Sequence, residues 1–280
     1  MNRATLNLEN VPYYNFLRKW KVPDLIMIAV LFGVNIILWT SAPYERQFSI
    51  NDLTISHPFA EHERVSTHQL FNISFGLPSV AIFFFGLLLT ESPHKIYVTY
   101  LSLVGFLVSF YTNLTITDIL KNWIGRCRPD FLARCIPSPD ALPDVLYFAK
   151  DICTNDDWEL VQEGFRTTPS GHSSIAFSTL FYLTLFLSGQ FFIGHKDVGT
   201  WRHYIAGLPT LGAAYIAISR TADYRHHFVD VILGSVIGTL VAWWSYRRYY
   251  PSIYSEKSYI PYNLEDEDPC YQPADGSCQV

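Results

Sequence analysis

The sequence predicts an all-α integral membrane protein, a bundle of six transmembrane helices, and three observations carry that expectation. Of its 280 residues 49% are apolar and only 16% charged, against roughly 25% charged in ordinary soluble domains. Apolar runs of about 15 to 25 residues recur along the chain, the length that crosses a hydrocarbon core. The residues with the most chemical character gather at the ends of those runs rather than within them.

The runs lie at 22–40, 70–89, 96–119, 173–193, 204–218 and 228–244. The first and fifth are short for a full crossing, and Trp20, Trp39 and Trp201 extend them by sitting at headgroup level. Each run must be helical, because a lone strand would leave its backbone groups unsatisfied in lipid. Pro78 and Pro209 are the expected kink sites. The longest connection, about 50 residues between the third and fourth runs, contains Pro137-Ser138-Pro139 and the polar cluster 154–157. It reads as an ordered external loop rather than a second domain. From Pro251 the chain is rich in Pro, Tyr and acid without apolar periodicity, which predicts a disordered tail. The chain thus divides into an N-terminal segment 1–21, a membrane domain 22–250 and a tail 251–280. The first residues lack the short apolar core and small-residue cleavage site of a signal peptide, so the first span is retained.

Orientation follows from Arg3, Arg18, Lys19 and Lys21 before the first run and Arg247, Arg248 and Lys257 after the last. Six crossings bring both ends to one side, which basic flanks make cytoplasmic. The third connection holds six basic residues on the opposite side. Two of them belong to the constellation below, and the rule weakens in long loops. Net charge is -5, with Glu265, Asp266, Glu267 and Asp268 concentrated in the tail, so no basic field points to nucleic acid. The five cysteines form no CxxC pair, which argues against a zinc or redox motif. Cys127, Cys135 and Cys153 share the long loop; one disulfide fits if that loop is lumenal, with the pair left open.

Three polar clusters fall on one membrane face when the crossings are counted. Lys121, Arg126, Arg128 and Pro129 follow the third run, Pro169-Ser170-Gly171-His172 precedes the fourth, and Ser219, Arg220, His226 and Asp230 link the fifth to the sixth. Together they describe a phosphate site. Lys121 and Arg128 are seven apart, two turns on one face if the third helix continues outward. With Arg220 they supply three cations for an oxyanion, Arg as a planar fork and Lys as a point charge. Gly171 permits close backbone approach, Ser170 adds a hydroxyl, and a helix start presents free N–H groups. His226 and Asp230, four apart, are expected on one face of the sixth helix, the carboxylate orienting a histidine nucleophile. His172 remains for proton transfer. No metal ligand set and no cofactor site is expected.

Singly, each cluster has a plain structural account. Lys121, Arg126 and Arg128 would serve as interface cations, Pro169 to His172 as a loop and helix start, His226 with Asp230 as a pair at a helix entrance. Asp223 and Arg225 read as a solvated turn, and His227 as a neighbour. Three cations, two histidines and a carboxylate on one face are not expected from independent accidents.

Lys-x6-Arg-Pro, Pro-Ser-Gly-His and Ser-Arg-x5-His-x3-Asp, in that order, resemble the three signatures of the type-2 phosphatidic acid phosphatase, or lipid phosphate phosphatase, superfamily. The likeness covers about residues 20–250, and the segments 121–131, 164–174 and 223–235 are similar to the fungal diacylglycerol pyrophosphate phosphatases. The resemblance implies magnesium-independent hydrolysis of diacylglycerol pyrophosphate, phosphatidate and lysophosphatidate through a phosphohistidine. It also implies a vacuolar or other secretory-pathway membrane with a lumenal site. Membrane lipid phosphates and the bilayer are the partners so implied, and a homo-oligomer is compatible with them. Two rival readings are a phosphatase for sphingoid-base or sugar phosphates and a non-enzymatic anion channel. The channel would need charges through the bilayer depth, where these runs carry mainly Asn, Ser and Thr.

Overall fold

The computed structural model describes residues 12–90, 93–262 and 264. Six long helices dominate: α1 (Val22–Thr40), α2 (Thr67–Leu89), α3 (Lys95–Ile124), α4 (residues 171–190), α5 (Trp201–Ala222) and α6 (Phe228–Tyr249). The described residues contain no strand, only isolated bridges such as Phe48 with Tyr147. The loop between α3 and α4 carries the short helices Phe131–Cys135, Ala149–Ile152 and Trp158–Glu163 around their own core of Phe48, Ile55, Phe131 and Phe165.

By length and composition four of the six helices, α1, α2, α3 and α6, are long and apolar enough to cross a membrane. They present an outward apolar surface that includes Ile26, Phe32, Ile37, Val80, Phe84, Val236 and Leu240. Such side chains at lipid depth have no need of a protein partner. α4 differs because it runs through the middle of the bundle. Its Ser173, Ser174, Ser178 and Thr179 are buried, and Ser178 and Thr179 return their hydroxyls to the Ile175 carbonyl at 3.0 and 2.7 Å. α6 lies close against it, since a Cβ on Gly234 or Gly238 would collide with the carbonyls of Ser170 or Ser174. The small-residue spacing therefore sets the separation between the start of α4 and α6.

Three local expectations change. α3, about 45 Å long at 1.5 Å per residue, ends at Ile124 rather than continuing to Arg128. Gly125 takes φ 58 and its N–H returns to the Lys121 carbonyl, while a Cβ there would meet the Tyr44 carbonyl. Lys121 and Arg128 therefore do not share a helix face; a left-handed cap separates them. α6 begins at Phe228, so His226 lies in the preceding turn and the four-residue helical relation to Asp230 does not apply. The expected disordered tail does not describe residues 251–262. Ser258 and Ile260 are buried, Tyr246 Oη reaches the Ser258 carbonyl at 3.4 Å, and Gln190 reaches the Tyr259 carbonyl at 3.3 Å. The acidic run 265–268 lies outside the described residues.

The open disulfide choice closes on Cys135–Cys153. Cys127 stays a free, buried thiol, and burial pushes its pKa up to about 12, far from the thiolate range.

Candidate active site

Ser170 caps α4, its hydroxyl within 3.4 Å of the Ser173 N–H and 3.0 Å of the Ser173 hydroxyl. Its own N–H donates to the Asp230 carbonyl at 2.9 Å, which ties the start of α4 to the start of α6. Gly171 leaves room for Lys121, whose Cε lies 3.3 Å from the position a Cβ would take. Lys121 reaches across and donates to the Arg166 carbonyl at 2.6 Å.

Arg128 comes from the loop and Arg220 from the last turn of α5, and both are buried. Arg128 donates through Nε to the Glu163 carbonyl at 3.1 Å and pairs with the Glu163 carboxylate. Arg220 donates through Nη1 to the Val65 carbonyl at 3.0 Å and to Glu63 Oε2 at 3.1 Å. The backbone of Val65 also lies against His172. Each cradle arginine thus holds a carboxylate that motif reading did not single out. Partial desolvation would raise the pKa of the half-exposed Glu163, but Arg128, Lys121, Arg166 and Arg134 outweigh it and hold the group below the usual carboxylate value.

His226 is 3% exposed, and its Nδ1 lies 2.7 Å from the Thr167 carbonyl oxygen. A carbonyl only accepts, so Nδ1 carries the ring proton and Nε2 keeps its lone pair. Burial, followed by the charges of Arg128, Lys121, Arg220 and His172, holds the His226 pKa well below the ordinary histidine value. The imidazole is therefore neutral at neutral pH. The same interactions show that Lys121, Arg128, Arg220, His172 and His226 form one cluster. Two of its polar atoms, His172 Nε2 and Arg220 Nε, are buried without a hydrogen-bond partner.

Asp230 belongs to the cluster but does not touch the His226 ring. Its carboxylate accepts from Thr167 Oγ1 at 2.7 Å, Thr168 Oγ1 at 2.5 Å, the His227 N–H at 2.9 Å and Arg126 Nη1 at 3.3 Å. The expected direct pair is corrected because His226 precedes the helix and four donors already fill the carboxylate. His227 sits beside the cluster, its Nε2 3.1 Å from the Cys127 carbonyl.

Asp223 and Arg225, expected in a solvated turn, are buried. Asp223 accepts from the Arg64 N–H at 2.9 Å, while Arg225 joins Glu63 Oε1 at 3.1 Å and Asp130 Oδ2 at 3.3 Å. Glu63, Val65, Glu163 and Thr167 are the residues the sequence left unmarked. Thr167, next to the Pro169 motif, had proximity as a signal; the others had none. Among the described residues, no group of three or more His, Cys, Asp or Glu side chains is placed to hold a metal ion.

Residues 93–254 match the PAP2 superfamily model. The chain is 46% identical over 255 residues to diacylglycerol pyrophosphate phosphatase 1 of Saccharomyces cerevisiae, covering 91% of this chain and 88% of that protein. It is 35% identical to a probable diacylglycerol pyrophosphate phosphatase 1 of Schizosaccharomyces pombe, over 88% of this chain and 87% of the other. With lipid phosphate phosphatase 1 of Arabidopsis thaliana identity is 34%, over 85% and 69%. No solved structure matches.

Proposed function

The chain belongs to the PAP2 superfamily, and from that premise we propose that it is a magnesium-independent lipid phosphate phosphatase. Its substrates are diacylglycerol pyrophosphate, cleaved to phosphatidate, and phosphatidate, cleaved to diacylglycerol; lysophosphatidate is a further one. The single observation that carries the reading is the buried set of Lys121, Arg128 and Arg220 with His226, whose Nδ1 is committed to the Thr167 carbonyl at 2.7 Å so that Nε2 carries the lone pair.

In this mechanism Lys121, Arg128, Arg220, Ser170 and the Gly171 N–H hold the phosphoryl oxygens, and their fixed charges stabilise the transition state. The His226 Nε2 lone pair attacks phosphorus, the bond to the leaving oxygen breaks, and His172 gives that oxygen a proton. A bound phosphate dianion supplies the negative charge that favours a proton on His172. The phosphohistidine is cationic, with Nδ1–H still donated to Thr167. Water then attacks phosphorus as the now neutral His172 accepts a proton from it, the P–N bond breaks, and His226 regains its lone pair. Asp230 acts as a positioning residue.

We further propose six crossings, cytoplasmic termini and a lumenal site in a vacuolar or other secretory-pathway membrane. The membrane domain then spans 22–250, between a cytoplasmic segment 1–21 and a cytoplasmic tail 251–280. Support comes from the basic flanks and from the Cys135–Cys153 disulfide in the site-bearing loop, since disulfides persist in oxidising compartments. Cysteine labelling on sealed vesicles should find position 163 lumenal and position 265 cytoplasmic. Equal cytoplasmic access to both would remove this topology.

The functional test is phosphate release from diacylglycerol pyrophosphate and phosphatidate by detergent-solubilised protein in excess EDTA. Activity should persist there, vanadate should inhibit it, and His226→Ala should lose both turnover and an acid-labile phosphoenzyme. Dependence on added magnesium, or a phosphoenzyme retained in His226→Ala, would overturn the mechanism.

A further inference from the structure

We infer that Thr167 is the positioning residue for the nucleophile, and that the Asp230 carboxylate bears on the His226 ring through it; this rests on the phosphatase reading above. Three contacts define the relay. The His226 Nδ1–H donates to the Thr167 carbonyl at 2.7 Å, with the Thr167 hydroxyl oxygen 3.2 Å from the same nitrogen. The Thr167 hydroxyl donates to Asp230 Oδ2 at 2.7 Å. The Thr167 N–H reaches the Arg126 carbonyl at 3.4 Å, anchoring the same residue on its third polar group.

The relay follows from where the chain turns. His226 precedes α6, so its ring faces the 167–168 segment instead of the first turn of its own helix. Asp230 lies three residues into α6 and holds the His227 N–H, as an acidic residue at a helix start does. Its remaining acceptor sites take the two threonine hydroxyls and Arg126. No lone pair is left for an imidazole 2.7 Å from a different acceptor.

The chemical consequence concerns the phosphohistidine. When Nε2 bonds phosphorus the ring becomes cationic, and the group it meets first is a carbonyl dipole rather than a full charge. A carbonyl holds the Nδ1–H tautomer with a weaker bond than a carboxylate would but takes the proton far less readily. Nδ1–H thus persists through attack and hydrolysis, and the ring keeps its aim. The Thr167 hydroxyl fixes the plane of that carbonyl by holding its residue to Asp230. A threonine supplies hydroxyl and carbonyl from one residue with a stiff χ1, which shortens the relay to a single side chain.

The test uses the full-length protein in detergent with phosphatidate. Thr167→Val keeps the shape and removes the hydroxyl, and its kcat should fall about 10- to 100-fold with KM unchanged, the loss expected when a reacting group is mis-aimed. Thr167→Ser should stay within about threefold of wild type. Asp230→Asn should lower kcat, and the double variant Thr167→Val with Asp230→Asn should be no slower than the slower single one. Rapid-quench trapping should place the loss in phosphoenzyme formation. Thr167→Val at the wild-type rate, or a double variant in which the two losses multiply, would overturn the relay.

Should Thr167→Val fail to fold, 15N spectra of the wild-type His226 decide the matter, with His226→Ala subtracted for assignment. Nδ1–H in the wild type and retained in Asp230→Asn supports the relay; Nε2–H in the wild type, or Nδ1–H lost in Asp230→Asn, refutes it. If the wild type itself releases no phosphate, the phosphatase reading fails, and the tautomer still tests the geometry separately.

Discussion

Arg128 and Arg134 are both buried arginines of the loop between α3 and α4, yet the carboxylates they meet differ in kind. Arg134 grips Asp130 with two parallel bonds of 3.0 Å, and both side chains are essentially inaccessible. Arg225 joins the same aspartate from the α5–α6 turn, and the ring of Phe59 lies under both guanidinium groups at 5.0 and 4.2 Å. Arg128 meets Glu163, whose side chain is 43% exposed, and Arg220 meets Glu63, 22% exposed. Glu163 and, to a lesser degree, Glu63 keep a water-facing side, although Glu63 also meets Arg225; Asp130 is fully enclosed. The first group holds the loop to the bundle, and the second balances the charge of two buried cations; under the proposed function those two cations bind phosphate.

The comparison breaks first at Arg134. Arg134→Ala should destabilise the protein by about 3–5 kcal/mol, the usual result of removing one partner of a buried pair. A thermal-inactivation series in detergent reads it, and activity per folded molecule should remain near wild type. A loss of turnover without loss of stability would make Arg134 part of the chemistry instead.

Arg220→Lys sharpens the other side. It retains charge but gives up the planar fork, so kcat/KM on phosphatidate should drop about 10²–10³-fold, the scale of one lost transition-state donor. Near-wild-type kcat/KM would place Arg220 with the structural arginines.

Glu163→Gln tests whether the half-exposed carboxylate competes with phosphate. Stability should change by no more than about 1 kcal/mol. Inhibition by inorganic phosphate should strengthen about two- to fivefold, the range of a partly solvated charge contact. Weaker inhibition would mean that Glu163 serves to aim Arg128.

The smallest effect is a shift in pH dependence. Because burial and the charges of Arg128, Lys121 and Arg220 depress the His226 pKa, this imidazole stays neutral as pH falls through the ordinary value of about 6.5. The acid limb of kcat/KM should therefore lie below that value. Arg128→Gln removes one of the charges that disfavour imidazolium, so the residual activity of that variant should show its acid limb at higher pH. A limb that stays in place, or moves down, would separate Arg128 from His226 electrostatically.

Much of this molecule was legible from residue order. α1 occupies the predicted 22–40, and α2, α3, α5 and α6 contain their predicted runs. In lipid, burial of backbone polar groups leaves one option for an apolar run, so hydropathy identifies α1, α2, α3 and α6, whereas α5 falls short of that composition. Lys121, Arg128, His172, Arg220 and His226 stood out for the same reason, because charge and imidazole at the ends of apolar helices require a partner or a task. α4 obeyed the pattern less well, since a helix enclosed by protein is free to carry the hydroxyls that a lipid-facing helix does not.

Periodicity relates residues on one element and is silent about residues on two. It placed Arg128 on a helix that Gly125 ends and His226 on a helix that has not yet begun, and both errors arose from extending an element past its cap. Only packing could bring Glu63 to Arg220 across 157 positions, set Thr167 between His226 and Asp230, and choose Cys135 over Cys127 for Cys153. The sequence by itself determined which chemical groups this protein has and the membrane face on which they are expected. Which group touches which was decided by tertiary structure, because those contacts depend on where separate helices and loops come to rest against each other.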